Sequence, residues 1–146
     1  MLKNSRIRTP ITLLSKDFLN TAAFSANLKT SNGQLDVAFP DAPWFRFSLL
    51  ELTARTSNAA ANVKLHPTYE GYISLKTSTV FTSSVTMNPS TEDPSRQGRH
   101  RTVESRKVAK SVFEGGVWWG NDPDKDEGKG KVIVSTSNSD NTVNLG

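Results

Sequence analysis

Four copies of one tripeptide, spread over 146 residues, limit what this chain can fold into. Thr-Ser-Asn stands at 30–32, 56–58 and 136–138, and Thr-Ser-Thr at 77–79. An aliphatic side chain comes two residues before each threonine: Leu28, Ala54, Leu75 and Val134. In three copies apolar residues return at plus seven and plus nine, as Val37 and Phe39, Val63 and Leu65, and Val143 and Leu145. Even offsets before the threonine and odd offsets after it describe a period-two strand, a corner and a second strand. The repeat says how the backbone is built and is silent on function.

Helix signals are poor, because no long 3.6-residue period exists and β-branched, Asn and Gly residues oppose one. The expected class is all-β. Serine, threonine and asparagine supply 43 residues, against a hydrophobic content of 35%. A thin core with many polar corners suits a repeat protein. Like hydroxyls and amides on stacked corners can hydrogen-bond in ladders, so we expect a short single-domain β-solenoid of strand–corner–strand units. The alternative is an antiparallel β-meander or sandwich, for which Asn32-Gly33 would be a hairpin turn.

Residues 1–21 read as an N-terminal arm or cap, with Ile11–Leu14 as its one short strand signal, and 22–146 as the β-repeat domain. The corner threonines are 26, 21 and 59 residues apart, so the last gap would hold about two to three units, giving about six coils in all. The third unit departs from the pattern. Val80, Phe81 and Val85 replace the usual apolar offsets, which implies a bulge or shifted register there. Asn88–Gly98 reads as a loop, Thr102–Val112 as a polar edge strand and Phe113–Gly120 as a further strand.

The residues also carry a resemblance. Ala26-Asn27-Leu28-Lys29-Thr30-Ser31-Asn32-Gly33, Val63-Lys64-Leu65-His66-Pro67-x-Tyr69-Glu70-Gly71 and Val132-x-Val134-x-Thr136-Ser137-Asn138 resemble a domain of unknown function common in mushroom-forming fungi. Asp93-Pro94-Ser95-x-x-Gly98-Arg99-x-Arg101 and Gly116-Val117-Trp118-Trp119-Gly120 are in keeping with it. More distantly, the Thr-Ser-Asn-Gly repeat is similar to bacterial adhesin-like proteins with a β-solenoid fold. That likeness implies a surface or scaffolding role by analogy, and it offers no catalytic residue, cofactor or partner.

Charge is unevenly placed. Residues 96–114 hold six basic and two acidic side chains, and the net charge of the whole chain is +4. Arg96, Arg99, Arg101, Arg106, Lys107 and Lys110 form the candidate anion-binding segment, since guanidinium groups at this density can clamp phosphates or anionic polysaccharide. The competing reading is a solvated loop and an edge strand whose charges discourage aggregation. No aromatic residue falls between Arg96 and Lys110, which argues against nucleic acid.

Trp118 and Trp119 offer an aromatic contact for a sugar or peptide, but neighbours on a strand face opposite ways, so at most one can lie in the core. Trp44 is expected to pack over one end of the stack. Thr30, Asn32, Thr56, Asn58, Thr77, Thr136 and Asn138 are structural corner residues. Asp122-x-Asp124-x-Asp126 alternates carboxylates like a calcium loop, yet Glu127 replaces the required glycine and Ile133 the bidentate glutamate. We expect no metal site and no cofactor.

Only His66 and His100 could act as bases near neutral pH, and no serine lies in a nucleophile elbow. A non-enzymatic domain is expected, contacting an unknown protein or glycan or associating with itself through the ends of the stack. A polysaccharide-active enzyme is the catalytic alternative. The chain has no cysteine, no signal-like stretch, no apolar segment able to span a membrane and no Asn-x-Ser/Thr acceptor, which favours a cytoplasmic location.

Overall fold

The computed structural model describes residues 7–12, 22–41, 48–67, 69–88, 91, 93, 98, 100–120 and 130–145. Their regular structure is entirely β. Eleven strands follow in chain order: β1 Ile7–Thr12, β2 Ala22–Thr30, β3 Leu35–Asp41, β4 Ser48–Thr56, β5 Ala61–Lys64, β6 Gly71–Lys76, β7 Ser83–Thr86, β8 Arg101–Ala109, β9 Val112–Trp119, β10 Gly130–Thr136 and β11 Asn141–Asn144. Among the described residues no helix is long and apolar enough to cross a membrane.

The repeats form the four strand–corner–strand units: β2–β3, β4–β5, β6–β7 and β10–β11. Their first strands lie in a six-stranded sheet ordered β2-β4-β10-β6-β9-β8, and their second strands in a five-stranded sheet ordered β1-β3-β5-β11-β7. Pairing between units is parallel throughout, and only β6–β9 and β9–β8 are antiparallel. An antiparallel meander is therefore confined to one end of one sheet.

The units do not stack in chain order. The fourth, β10–β11, lies between the second and the third in both sheets. The additional coils expected in the long gap are not found among the described residues. A β8–β9 hairpin stands there instead, extending the six-stranded sheet beyond β6.

Register follows the repeat. Leu28, Ala54, Val134 and Leu75 are successive partners across the sheet, and Thr30, Thr56 and Thr136 align one step further on. Val37, Val63, Val143 and Val85 align in the other sheet. Val85 stands eight residues after Thr77, where its counterparts stand seven after their threonines. The irregularity of the third unit is thus one residue inserted in its corner, and its strands remain in step.

One hydrophobic cluster joins the sheets, with Leu52, Val132 and Ile73 from one and Val63 and Val143 from the other. Leu28 and Ala26 in the first unit are only partly buried, because they lie nearest the end of the stack. The first strand is Ile7–Thr12, earlier than the Ile11–Leu14 run suggests, and it pairs in parallel with β3.

Candidate functional site

The corners are built by their own side chains. Thr30 Oγ1 donates to the Gly33 carbonyl, and Thr56 Oγ1 reaches the same oxygen at 3.3 Å. In the other pair, Thr136 and Thr77 both donate to the Ser139 carbonyl, at 2.6 and 2.7 Å. One carbonyl three residues beyond a threonine thus accepts from two adjacent units. Outside this buried row runs an amide ladder: Asn58 donates to Asn32 at 2.6 Å, and Asn138 donates to Asn58 at 2.7 Å. Thr79 holds the equivalent position in the third unit, and the asparagine ladder ends at its neighbour Asn138.

A second polar row crosses the outer face of the five-stranded sheet. Asp36, Asn62, Thr142 and Ser84 are successive partners there. Asn62 donates to Asp36 at 3.0 Å, and Ser84 and Thr142 hydroxyls lie 3.3 Å apart. Strand alternation turns these four side chains outward because Val37, Val63, Val143 and Val85 turn in.

The described residues of the basic segment do not form one patch. Arg96 and Arg99 lie outside the described residues. Arg101, opposite Trp119 in β9, turns toward the core side of its sheet. Its guanidinium donates to the carbonyls of Leu145 and of Tyr69, the latter at 3.3 Å, and lies 5.4 Å from the Trp119 ring centre. Burial lowers its pKa to about 10, and the Glu70 carboxylate partly offsets that. Its Nε is buried with no partner. Arg101 is therefore an internal clamp, not an open phosphate ligand.

The cluster around Arg101 is tied further. Trp119 donates its indole N–H to the Pro67 carbonyl at 2.8 Å and its backbone N–H to Glu70 Oε1 at 2.8 Å. Tyr69 donates its hydroxyl to the Tyr72 carbonyl at 2.6 Å, and burial pushes its phenol pKa well up.

Arg106, Lys107 and Lys110 are exposed. A register shift at Ser105/Lys107 marks a bulge in β8, and Lys107 pairs with Glu114. Bulge and charges together are devices that keep a sheet edge from pairing with another. Trp119 is buried while Trp118 faces out, where its ring lies over Gly116: a Cβ built there would meet it at 3.3 Å. Tyr72 is the partner of Gly116 on the next strand. Trp44 and Asp122–Asp126 lie outside the described residues. Among the described residues no three His, Asp or Glu side chains gather as a metal site.

Sequence reasoning missed the position of the fourth unit, although two signals carried it. Asparagine occupies the third corner position at 32, 58 and 138 but not at 79, and a ladder needs its amides adjacent. Glycine stands six residues before the threonine only in the third and fourth units, as Gly71 and Gly130, which are partners. No family model, curated protein or solved structure matches the chain.

Proposed function

We propose that this chain is a non-enzymatic scaffold of β-solenoid type, with its units stacked out of chain order, that offers a repetitive polar surface to a protein or glycan. The observation that supports this reading is the outward row Asp36, Asn62, Thr142 and Ser84, repeated at strand spacing across the five-stranded sheet. Fixed donors and acceptors at about 4.8 Å intervals match extended partners better than compact ones. The distant resemblance to adhesin-like proteins agrees with such a role by analogy. Self-association through a strand edge would use the β2 end, since the β8 edge carries a bulge and charges.

The test is glycan-array and cell-extract binding by the full chain, beside the double variant Asn62→Lys and Thr142→Lys. Loss of binding in the folded variant is the expected result. Unchanged binding, or cleavage of a bound glycan, overturns the reading. The alternative, an anion-binding module over 96–110, retains Arg106, Lys107 and Lys110 but loses Arg101 to internal hydrogen bonds.

A further inference from the structure

The fourth unit is the last along the chain and lies inside both sheets. β10 hydrogen-bonds to β4 and β6, and β11 to β5 and β7. Neither pairs with β9, the strand that precedes them. Val117 lies opposite Gly71, and Gly71 opposite Gly130, so the link from β9 to β10 spans two strand spacings, about 9.6 Å. About three extended residues cover that distance. Residues 121–129 supply nine. The sequence before the unit is thus longer than the span requires, and the unit's sheet pairing is all with strands remote in sequence.

The slot is also selective. A Cβ at Gly130 would meet the Leu50 carbonyl oxygen at 2.7 Å and the Tyr69 ring at 2.8 Å, and one at Gly71 would meet the Gly130 backbone at 2.2 Å. An occupant needs glycine at its entry, alternate aliphatics to meet Leu52 and Ile73, and an asparagine at its corner for Asn58. This chain's own Gly130–Leu145 segment has all three.

We propose that the slot between the second and third units is a strand-exchange site whose other occupant is the Gly130–Leu145 unit of a second copy of this chain. Exchange retains every contact of the slot and costs only the association of two molecules. Nine linking residues, where about three would reach, correspond to an effective concentration on the order of 1 mM for the chain's own unit. Exchange therefore becomes comparable to self-insertion near that concentration, and removing the link drives it far below.

Thiols introduced by Asn58→Cys and Asn138→Cys read the outcome, because the natural chain has no cysteine. Stacked neighbours about 4.8 Å apart are within disulfide reach. The protein is unfolded, refolded, oxidised and run on a denaturing non-reducing gel. Interchain disulfides should join about 2% of chains refolded at about 10 µM and about half of those refolded at about 1 mM, the crossover set by the link. Deleting 121–129 should make nearly all of them interchain at the lower concentration. Register partners Arg55→Cys and Ser135→Cys give the same readout with the asparagine ladder intact, should the first pair disturb folding. Intrachain disulfides alone, at both concentrations and in the shortened chain, overturn the proposal. Dimers that form by edge contact carry intrachain disulfides and count against it equally.

Discussion

Asn138 donates its side-chain amide to Asn58 at 2.7 Å, although 80 residues of chain separate them. The second and fourth units are therefore neighbours. Asn58 in turn donates to Asn32, so the middle asparagine makes two ladder bonds and each end makes one.

Alanine substitutions should reproduce that difference. A net hydrogen bond is worth about 1 kcal/mol, less at an exposed site. Asn58→Ala is expected to cost about 1–2 kcal/mol in urea unfolding, roughly double the cost of Asn32→Ala or Asn138→Ala. Equal costs at all three positions contradict a ladder.

Gly71 and Gly130 are register partners in the third and fourth units, with no room for a side chain between them. Gly71 has φ of 153°, and a Cβ there would fall 2.2 Å from the Gly130 carbonyl oxygen. The neighbour is backbone and cannot swing aside. Gly71→Ala should destabilise by about 3 kcal/mol or more, at the severe end of single substitutions. Exposed Gly98, with open space around its α-carbon, should respond only to its positive φ, with a cost of about 1 kcal/mol for alanine.

Arg101 and its neighbours along the basic segment should separate cleanly. Arg101→Met removes charged hydrogen bonds to two carbonyls and should cost about 2–3 kcal/mol. Arg106→Ala and Lys107→Ala, at exposed positions, should stay within about 0.5 kcal/mol. Retention on a heparin column should show the reverse, weakening for Arg106 and Lys107 but not for Arg101 in folded protein. A heparin defect confined to Arg101 would restore it to an anion site.

Tyr69 makes stability fall at high pH. Burial raises its phenol pKa above the ordinary value of 10.0, so the unfolded chain ionises first. Its contribution is complete below pH 10 and is lost as the pH rises beyond. Arg101 acts oppositely: burial lowers its pKa to about 10, below that of the unfolded chain, so stability from that group increases as the pH rises past about 10. Tyr69→Phe isolates the first effect. It should cost about 1 kcal/mol at pH 8 through the lost bond to the Tyr72 carbonyl, and that gap should narrow by about pH 11. A gap that widens at high pH contradicts a buried neutral phenol.

The repeat made the strands and corners legible because alternation and the threonine corner are local properties. Val37, Val63 and Val143 align at the offsets their sequences predict. Stacking order was not legible in the same way, since every unit carries a similar apolar pattern and any two could pair. The deciding residues are sparse, Gly71 with Gly130 and Asn58 with Asn138. Arg101 looked like its charged neighbours, because its role depends on facing Trp119 across a hairpin. The shifted register expected of the third unit is one extra corner residue before Val85, which moves the offset without breaking the strands.

Methyl–methyl nuclear Overhauser effects on Ile, Leu and Val side chains test the inserted order most directly. Val132 pairs with Leu52 on one side and Ile73 on the other, so both cross-peaks should be strong at about one strand spacing. Leu52 and Ile73 are two spacings apart, about 9.6 Å, and should give none. A strong Leu52–Ile73 cross-peak with none from Val132 to Leu52 would mean that the units stack in chain order, contrary to this account.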